Sequence, residues 1–392
     1  MEQINIISFT KKGESLANKL GEYLKEEKLD PYEIEEEKLD SYETEVEKLQ
    51  VQKKQIQLVN KCKSSDDYSS VPLSECAKES FEKKQGLIFV GAAGIAVRTI
   101  APYLKDKLHD PFVIVIDEKG SFVIPILSGH VGQANEYARK IASFLGAQAV
   151  ITTATDINHC FAADLFAQKN HFMIQNKEGI AKVSAKTLSH KNVTVQCQNR
   201  VITLSYDGKI VKEESLEDYQ NRKKKESEKN QTANLDEFEF VPIDIIISPF
   251  LADREKGTLW LVPPCIVVGV GCRRGKEASA IEQTILDQLT EHGIAKEAVC
   301  AIASIDRKKD EIGLIETAKK MCVPFVTFSE ETLRMVPGNF TASPFVEKTV
   351  GVDNVCERSS IAAAPGGHLL SGKYAKDGVT VAIAQKLIPI SF

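Results

Sequence analysis

At 392 residues the chain has room for two or three domains of ordinary size, which excludes a single small binding module. Its 50 basic and 55 acidic residues leave a net charge of −5, too small to mark a dedicated nucleic-acid or polyanion binder, and 43% hydrophobic with 27% charged residues is the make-up of a globular protein. Nine cysteines, none in a Cys-x-x-Cys pair or a Cys/His cluster of zinc spacing, argue against a disulfide scaffold and a zinc domain. The opening Met1–Gly13 lacks a basic segment followed by a long apolar run, and no stretch approaches about 18 uninterrupted apolar residues. We expect a reduced, soluble, cytoplasmic protein.

Ile4 to Phe9 is an apolar run that predicts a strand, and Leu16, Leu20 and Leu24 fall on one stripe of a helix from Ser15 to Leu24. A ten-residue echo follows, EKLD at Glu27–Asp30, EKLD at Glu37–Asp40 and EKLQ at Glu47–Gln50. Asp30, Pro31 and Glu33 suit a helix start, and Glu22 to Lys54 hold 12 acidic against 6 basic residues. The chain's acidity thus sits in a helical insert at about 25–54. A period of ten falls about 80° short of three helical turns, so the repeated leucines spiral around the helix instead of lining a seam.

The globular pattern resumes at Leu87–Val90, a buried strand closed by Gly91-Ala92-Ala93-Gly94 and followed by a helix from Ile95 to Leu104. Val113–Asp117 and Ser121–Leu127 flank Glu118-Lys119-Gly120 as a hairpin, which delivers Ser128-Gly129-His130 at a strand end. A helix over Gln133–Leu145 and a strand over Ala149–Thr153 come next. Val193–Val195, Val201–Leu204, Ile243–Ile247 and Leu259–Val262 read as strands, whereas Glu213–Glu239 is charge-dense, poor in apolar residues and reads as a linker. Beyond Pro263-Pro264, strands at Cys265–Val270, Ala301–Ser304, Pro324–Phe328 and Gly378–Ala384 alternate with helices at Ala278–Leu289 and Glu311–Met321. Gly271–Gly275 is the tight loop after the first of these strands. The alternation predicts an α/β fold: two α/β domains with mostly parallel sheets, at residues 1–168 and 265–392, joined by a smaller middle region at 169–264. Ligands of such sheets bind beyond the strand ends.

Both glycine-rich turns stand between a strand and a helix, where backbone N–H groups and the helix dipole favour an anion. Gly91 and Gly94 have Arg98 one turn further on, and a purely structural tight turn is the other reading. Gly271 to Gly275 carry Arg273 and Arg274, two cations that oppose the dipole of the following helix unless an anion or acid neutralises them. Cys272 between them is either a thiol with a lowered pKa or simply a small residue in a turn. His130 has the side chain suited to proton transfer near neutrality, against a packing role for a lone histidine. Ser128 and His130 lack a third group and a Gly-x-Ser-x-Gly elbow, which favours histidine acting on water. Lys308, Asp310 and Glu311 cluster at a helix start, where acids are ordinary dipole partners; Lys308 and Lys373 alone read as surface residues, and Glu357 follows the Val355-Cys356 run. Neither glycine turn matches GxGxxG or a P-loop, which disfavours a nucleotide-dependent enzyme.

The stretch from GAAGIAVRTI through SGHVGQANEYARKIA to VITTATD resembles the amino-terminal domain of the CbiG family, the cobalt-precorrin-5A hydrolases of cobalamin biosynthesis. GVGCRRGKEASAIEQTI, ASIDRKKDEIGL, VGVDNVCERSS and the closing TVAIA resemble that family's carboxy-terminal domain, which is also similar to the CobE proteins. The resemblance is clear over Gly86–Gln168 and Cys265–Gln385 and loose over Asn170–Pro264. Gln133 stands where the family's SGHxGG pattern has a second glycine, and the repeat-bearing insert has no counterpart. The resemblance implies a reaction on a ring-contracted cobalt tetrapyrrole in which water opens a δ-lactone and acetaldehyde leaves, giving cobalt-precorrin-5B. It implies no cofactor of the protein's own, cobalt arriving inside the substrate. Candidate catalytic residues are then His130 first, Glu311 second, and Ser128; candidates for substrate contact are Gly91, Gly94, Arg98, Gly129, Asn135, Gly271, Cys272, Arg273, Arg274 and Lys308. The tetrapyrrole is the expected partner, with other corrin-pathway enzymes or a second copy of the chain left open, and neither nucleic acid nor membrane is expected. A noncatalytic tetrapyrrole carrier or pathway scaffold is the competing reading.

Overall fold

The computed structural model describes residues 3–26, 55–106, 109–129, 132–229, 243–344, 348 and 351–392. The chain divides into two compact units, Met1–Ile157 and Asn158–Phe392. The expected α/β architecture is present in both. Among the described residues no helix is long and apolar enough to cross a membrane.

The first unit is built on a six-stranded sheet of order β2-β1-β3-β4-β5-β6. Its strands are β1 (Gln3–Ser8), β2 (Gln55–Asn60), β3 (Gly86–Val90), β4 (Val113–Ile116), β5 (Phe122–Leu127) and the two-residue β6 (Gln148–Ala149). β2, β1, β3 and β4 run parallel, and the predicted hairpin turns β5 antiparallel to β4. Because side chains alternate along a strand, Ile88, Val90, Ile114 and Ile116 form one core, while Leu87, Phe89, Val113 and Val115 form another on the opposite face. The first core is covered by α1 (Lys11–Glu26), through Ala17, Leu20 and Leu24, and by α4 (Ala134–Leu145). The second is covered by α2 (Leu73–Glu82) and α3 (Ala93–Ile100). Lys25 and Glu26 end α1, and the rest of the helical insert expected at 25–54 lies outside the described residues. The strand expected over Ala149–Thr153 is only Gln148 and Ala149, with one further bond from the Val150 N–H to the Val123 carbonyl at 2.9 Å. A short helix, α5 (Ala154–Ile157), closes the unit.

The second unit holds two sheets. The first, of order β10-β9-β8-β11-β12-β7, contains β7 (Met173–Ile174), β8 (Val193–Cys197), β9 (Arg200–Leu204), β10 (Ile210–Ser215), β11 (Ile243–Ile247) and β12 (Gly257–Val262). α6 (Ala163–Lys169) precedes these strands in sequence, and α7 (Lys177–Leu188) lies between β7 and β8. The linker expected over Glu213–Glu239 is instead, in its described part, the end of β10 and a helix, α8 (Leu216–Lys229). Leu216 and Tyr219, three residues apart, pack it on the core, and Arg222 pairs with Glu214 at 2.6 Å and with Glu226 at 2.8 Å. The second sheet, β15-β14-β13-β17-β16, contains β13 (Ile266–Cys272), β14 (Val299–Ile305), β15 (Phe325–Phe328), β16 (His368–Lys376) and β17 (Val379–Gln385). β13, β14 and β15 are parallel, and β17 runs antiparallel to both β13 and β16. One face packs on α9 (Ala278–Glu291) and α10 (Ile312–Lys320), and its core continues into Val201, Ile243, Ile246, Trp260 and Val262 of the neighbouring sheet and Tyr219 of α8. α11 (Glu330–Met335) precedes α12 (Cys356–Ala362), which lies on the other face. That face is lined with Ala301, Ala303 and Ala384. Gly269 completes it, since a Cβ there would overlap the Cys356 carbonyl.

Candidate functional site

β13 runs through Cys272, so the glycines read as a tight anion loop are mostly strand. Gly269 admits α12, and a Cβ on Gly271 would stand 2.6 Å from Thr380 Oγ1 on the adjacent β17. Only Gly275, at φ +74°, is a turn glycine, in the left-handed region that other residues enter at a cost. The Arg273 N–H donates to the Gly378 carbonyl at 3.0 Å, which fixes the chain where β13 ends and β17 begins.

The N–H of Gly275 donates at 2.7 Å to Glu311 Oε1, and Glu311 Oε2 accepts from Lys308 Nζ at 2.9 Å. The carboxylate and ammonium side chains are only 4% and 15% exposed. Burial pushes the Glu311 carboxyl upward, but the bonds from Lys308 and Gly275 outweigh it and hold the group below its ordinary value. The acid that neutralises this helix start is therefore the chain's own. Glu311, expected as a second candidate for proton transfer, stands here as a committed ion-pair partner. Arg274 lies 3.6 Å from Asp310, a pair exposed at both ends and worth little. Burial raises the Cys272 thiol above its ordinary value, ahead of any lowering by Lys308, so the reading of a thiol activated by nearby cations does not stand.

A cavity of about 490 Å³ opens at this strand end. Gly271, Cys272, Arg273, Arg274 and Lys308 line it, as the sequence places them together. Ile305, Val355, Ala375 and Val379 give it apolar wall, and Asn354, Cys356, Lys373 and Thr380 complete the polar part. Four cations and no carboxylate thus line it among the described residues. A neighbouring cleft of about 410 Å³ is lined by Asp310, Glu311, Glu277 and Glu316 as well as by Arg274 and Lys276, and its mixed charge suits an anion less. Sequence reading took Lys373 alone for a surface residue and did not single out Asn354, Cys356 or Thr380. The run Val355-Cys356-Glu357 was the available signal, and Glu357 itself is buried behind the cavity.

In the first unit the predicted residues separate into two groups. Gly91 follows the carboxyl end of β3, its N–H donating to the Ile116 carbonyl at 2.8 Å, and Gly94 lies exposed in the first turn of α3 and Arg98 exposed in its last. Ser128 follows β5, which runs the other way, so it stands beside the amino end of β4: its Oγ donates to the Asp110 carbonyl at 2.8 Å. Val113 to Ile116 alone separate the two edges by about 10 Å. The structure does not bring Gly91, Gly94 and Arg98 together with Ser128, Gly129 and Asn135.

His130 lies outside the described residues, and the backbone on either side of it turns sharply. Ser128 has φ +55° and Gln133 has φ +64°, which accounts for a glycine at the latter position elsewhere in the pattern. Gly129 is close-packed, since a Cβ there would meet Asn135 Oδ1 at 2.8 Å. Asn135 donates to Thr153 Oγ1 at 3.0 Å and Asp156 Oδ2 at 2.9 Å, with Arg139 on the same aspartate at 2.6 Å. Ser128 and Asn135 therefore spend these polar groups on Asp110, Thr153 and Asp156 of the chain itself.

Residues 75–156 match the family described as Cobalamin synthesis G N-terminal, and residues 266–384 match Cobalamin synthesis G C-terminus. A cobalt-precorrin-5A hydrolase of Salmonella typhimurium is 36% identical over 321 residues, covering 78% of this chain and 84% of the relative. The chain belongs to the cobalt-precorrin-5A hydrolase (CbiG) family. A second relative of that name, from Priestia megaterium, is 32% identical over 79% of this chain and 80% of its own. CobE, a protein from the cobalamin biosynthetic pathway, has a solved structure that is 28% identical over 32% of this chain and 92% of its own, with a TM-score of 0.30. In this CbiG-family chain the cationic cavity falls inside the carboxy-terminal match, and position 130 falls inside the amino-terminal one.

Proposed function

We propose that the chain hydrolyses cobalt-precorrin-5A, opening its δ-lactone and releasing acetaldehyde to give cobalt-precorrin-5B. The observation that carries this reading, beside the family, is the cavity at the end of β13 with four cations, apolar walls and no carboxylate. A polycarboxylate macrocycle needs both: cations for its acid side chains and apolar surface for its ring. Each charge-assisted contact contributes about 1.5–3 kcal/mol, so Arg273, Arg274, Lys308 and Lys373 hold a large anion without an unusual net charge. Lys308 is already balanced by Glu311, which leaves Arg273 and Lys373 as the cations with no acidic partner among the described residues.

The chemistry divides into two steps. Water adds to the lactone carbonyl and the ring C–O bond breaks, leaving a carboxylate and a free hydroxyl. That hydroxyl then gives up its proton, its oxygen becomes a carbonyl, and the bond to the macrocycle breaks with its electron pair taken by the ring. Both steps need a group that takes and gives a proton, and we assign it to His130, whose unperturbed pKa of about 6.5 suits both. Ser128 and Asn135 we assign to holding the loop, and Glu311 to holding Lys308 and Gly275. Cobalt enters as part of the substrate, and the proposal names no cofactor of the protein's own.

The test is anaerobic turnover of cobalt-precorrin-5A by the purified chain with detection of acetaldehyde. Release over many turnovers is expected. Binding without release would make the chain a carrier. Arg273→Ala should weaken corrinoid binding, followed by its absorbance, with little change in melting temperature; unchanged affinity with a lower melting temperature would make Arg273 structural.

A further inference from the structure

We infer that Glu357 is a positioning residue that sets where the Lys373 ammonium stands in the cavity; this rests on the cavity being the tetrapyrrole site. β16 pairs with β17 at Ser371 with Ile383 and next at Tyr374 with Val381, so Gly372 and Lys373 together face Ala382 alone. That is a bulge, a device that re-aims a side chain and leaves a residue outside the ladder. The freed N–H of Lys373 donates to Glu357 Oε1 at 2.6 Å. The same carboxylate accepts the Thr341 N–H at 2.7 Å and the Thr341 hydroxyl at 2.9 Å. One buried group, 1% exposed, thereby ties the bulge and the segment at Thr341 to α12.

Two further details agree. A Cβ on Gly372 would stand 3.3 Å from Glu357 Oε1, so the glycine leaves the carboxylate its approach. Among the described residues no cation pairs with Glu357, and a buried carboxylate held by N–H and O–H donors alone is costly beside an apolar side chain of similar size. Its use is to satisfy a donor that the bulge has left unpaired at the cavity wall. Lys373, half-buried and without an acidic partner among the described residues, is then anchored at its backbone and stands near the Cys356 thiol, which it biases electrostatically. Without that anchor its four-carbon stem would wander.

Uroporphyrin I, a polycarboxylate tetrapyrrole, serves as probe, titrated by fluorescence quenching into the full chain, Lys373→Ala, Glu357→Gln and the double variant. Lys373→Ala is expected to weaken binding about tenfold or more, and Glu357→Gln about fivefold. The double variant should bind no worse than Lys373→Ala, because Glu357 acts through Lys373. Additive losses, or a Glu357→Gln that melts lower but binds as the wild type does, would overturn the role. Should Glu357→Gln not fold, Gly372→Ala, which displaces the same carboxylate, completes the cycle with Lys373→Ala. A wild-type chain that does not bind the probe removes the inference with the cavity. Acetaldehyde release is scored apart: a chain that shows the non-additive cycle but no release keeps the role of Glu357 and loses the hydrolase reading.

Discussion

Removing the imidazole at position 130 separates chemistry from packing. Losing a general acid or base costs about 10²–10⁴ in rate, whereas losing a packing histidine costs stability. His130→Ala should keep its fold and corrinoid binding while acetaldehyde release falls at least about a hundredfold; turnover within a few-fold of wild type would sink the assignment. Glu311 is open to a different test, by pH. Its folded pKa is depressed, so its contribution is full above the ordinary glutamate value of 4.5 and is lost as pH falls through the lower folded value. Glu311→Gln should therefore lower stability at neutral pH by about 1–3 kcal/mol, by leaving Lys308 unpaired, and the gap to wild type should narrow in melts taken progressively into acid, below the ordinary glutamate range. Single residues were unevenly legible in the sequence. Arg273 and Arg274 announced themselves as cations among glycines, whereas Lys308 and Lys373 each read alone as surface residues, and the place of Lys373 depends on a register against β17 that no local pattern encodes.

At the scale of elements, apolar runs were legible and charged ones were not. β3 and β4 are apolar at every strand position save Gly86, and they are buried throughout, as parallel strands covered on both faces must be. β2 reads Gln-Ile-Gln-Leu-Val-Asn on a sheet edge, and β10 ends in Lys-Glu-Glu-Ser, so neither offers an apolar run. α8 offers only Leu216 and Tyr219 to the core, and the Arg222 pairs that join it to β10 are not foreseen by propensity alone. Gly269 is the clearest meeting of elements, its missing Cβ being the space occupied by the Cys356 carbonyl. Gly269→Ala should cost about 1–3 kcal/mol or more by forcing α12 off β13, seen as a lower melting temperature. Val355 and Cys356 line the cavity, so the same variant should also bind corrinoid more weakly.

At the scale of the molecule, the two family matches fall in different compact units, 75–156 in the first and 266–384 in the second. Pro263-Pro264 reads in sequence as a boundary, yet Ile246, Trp260 and Val262 before it share a core with Ile266, Val268 and Ile285 after it. A fragment of residues 158–392 should melt as one cooperative transition. A fragment of 265–392 should melt lower, having lost about 1.5–3 kcal/mol for each large apolar partner left exposed. Equal melting temperatures would show that the shared core contributes nothing.

The reversal of β5 bears on how this chain tolerates change over generations. Gly91, bonded to Ile116, and Ser128, bonded to Asp110, stand at opposite ends of the strands of one sheet, with the length of β4, about 10 Å, between them. At such distances the effects of substitutions on folding add, within about 0.3–0.5 kcal/mol. A change at one end leaves the other end's tolerance untouched, so the two loops are free of epistasis in stability. Drift such as glutamine at position 133 then calls for no answering change at the Gly91 turn.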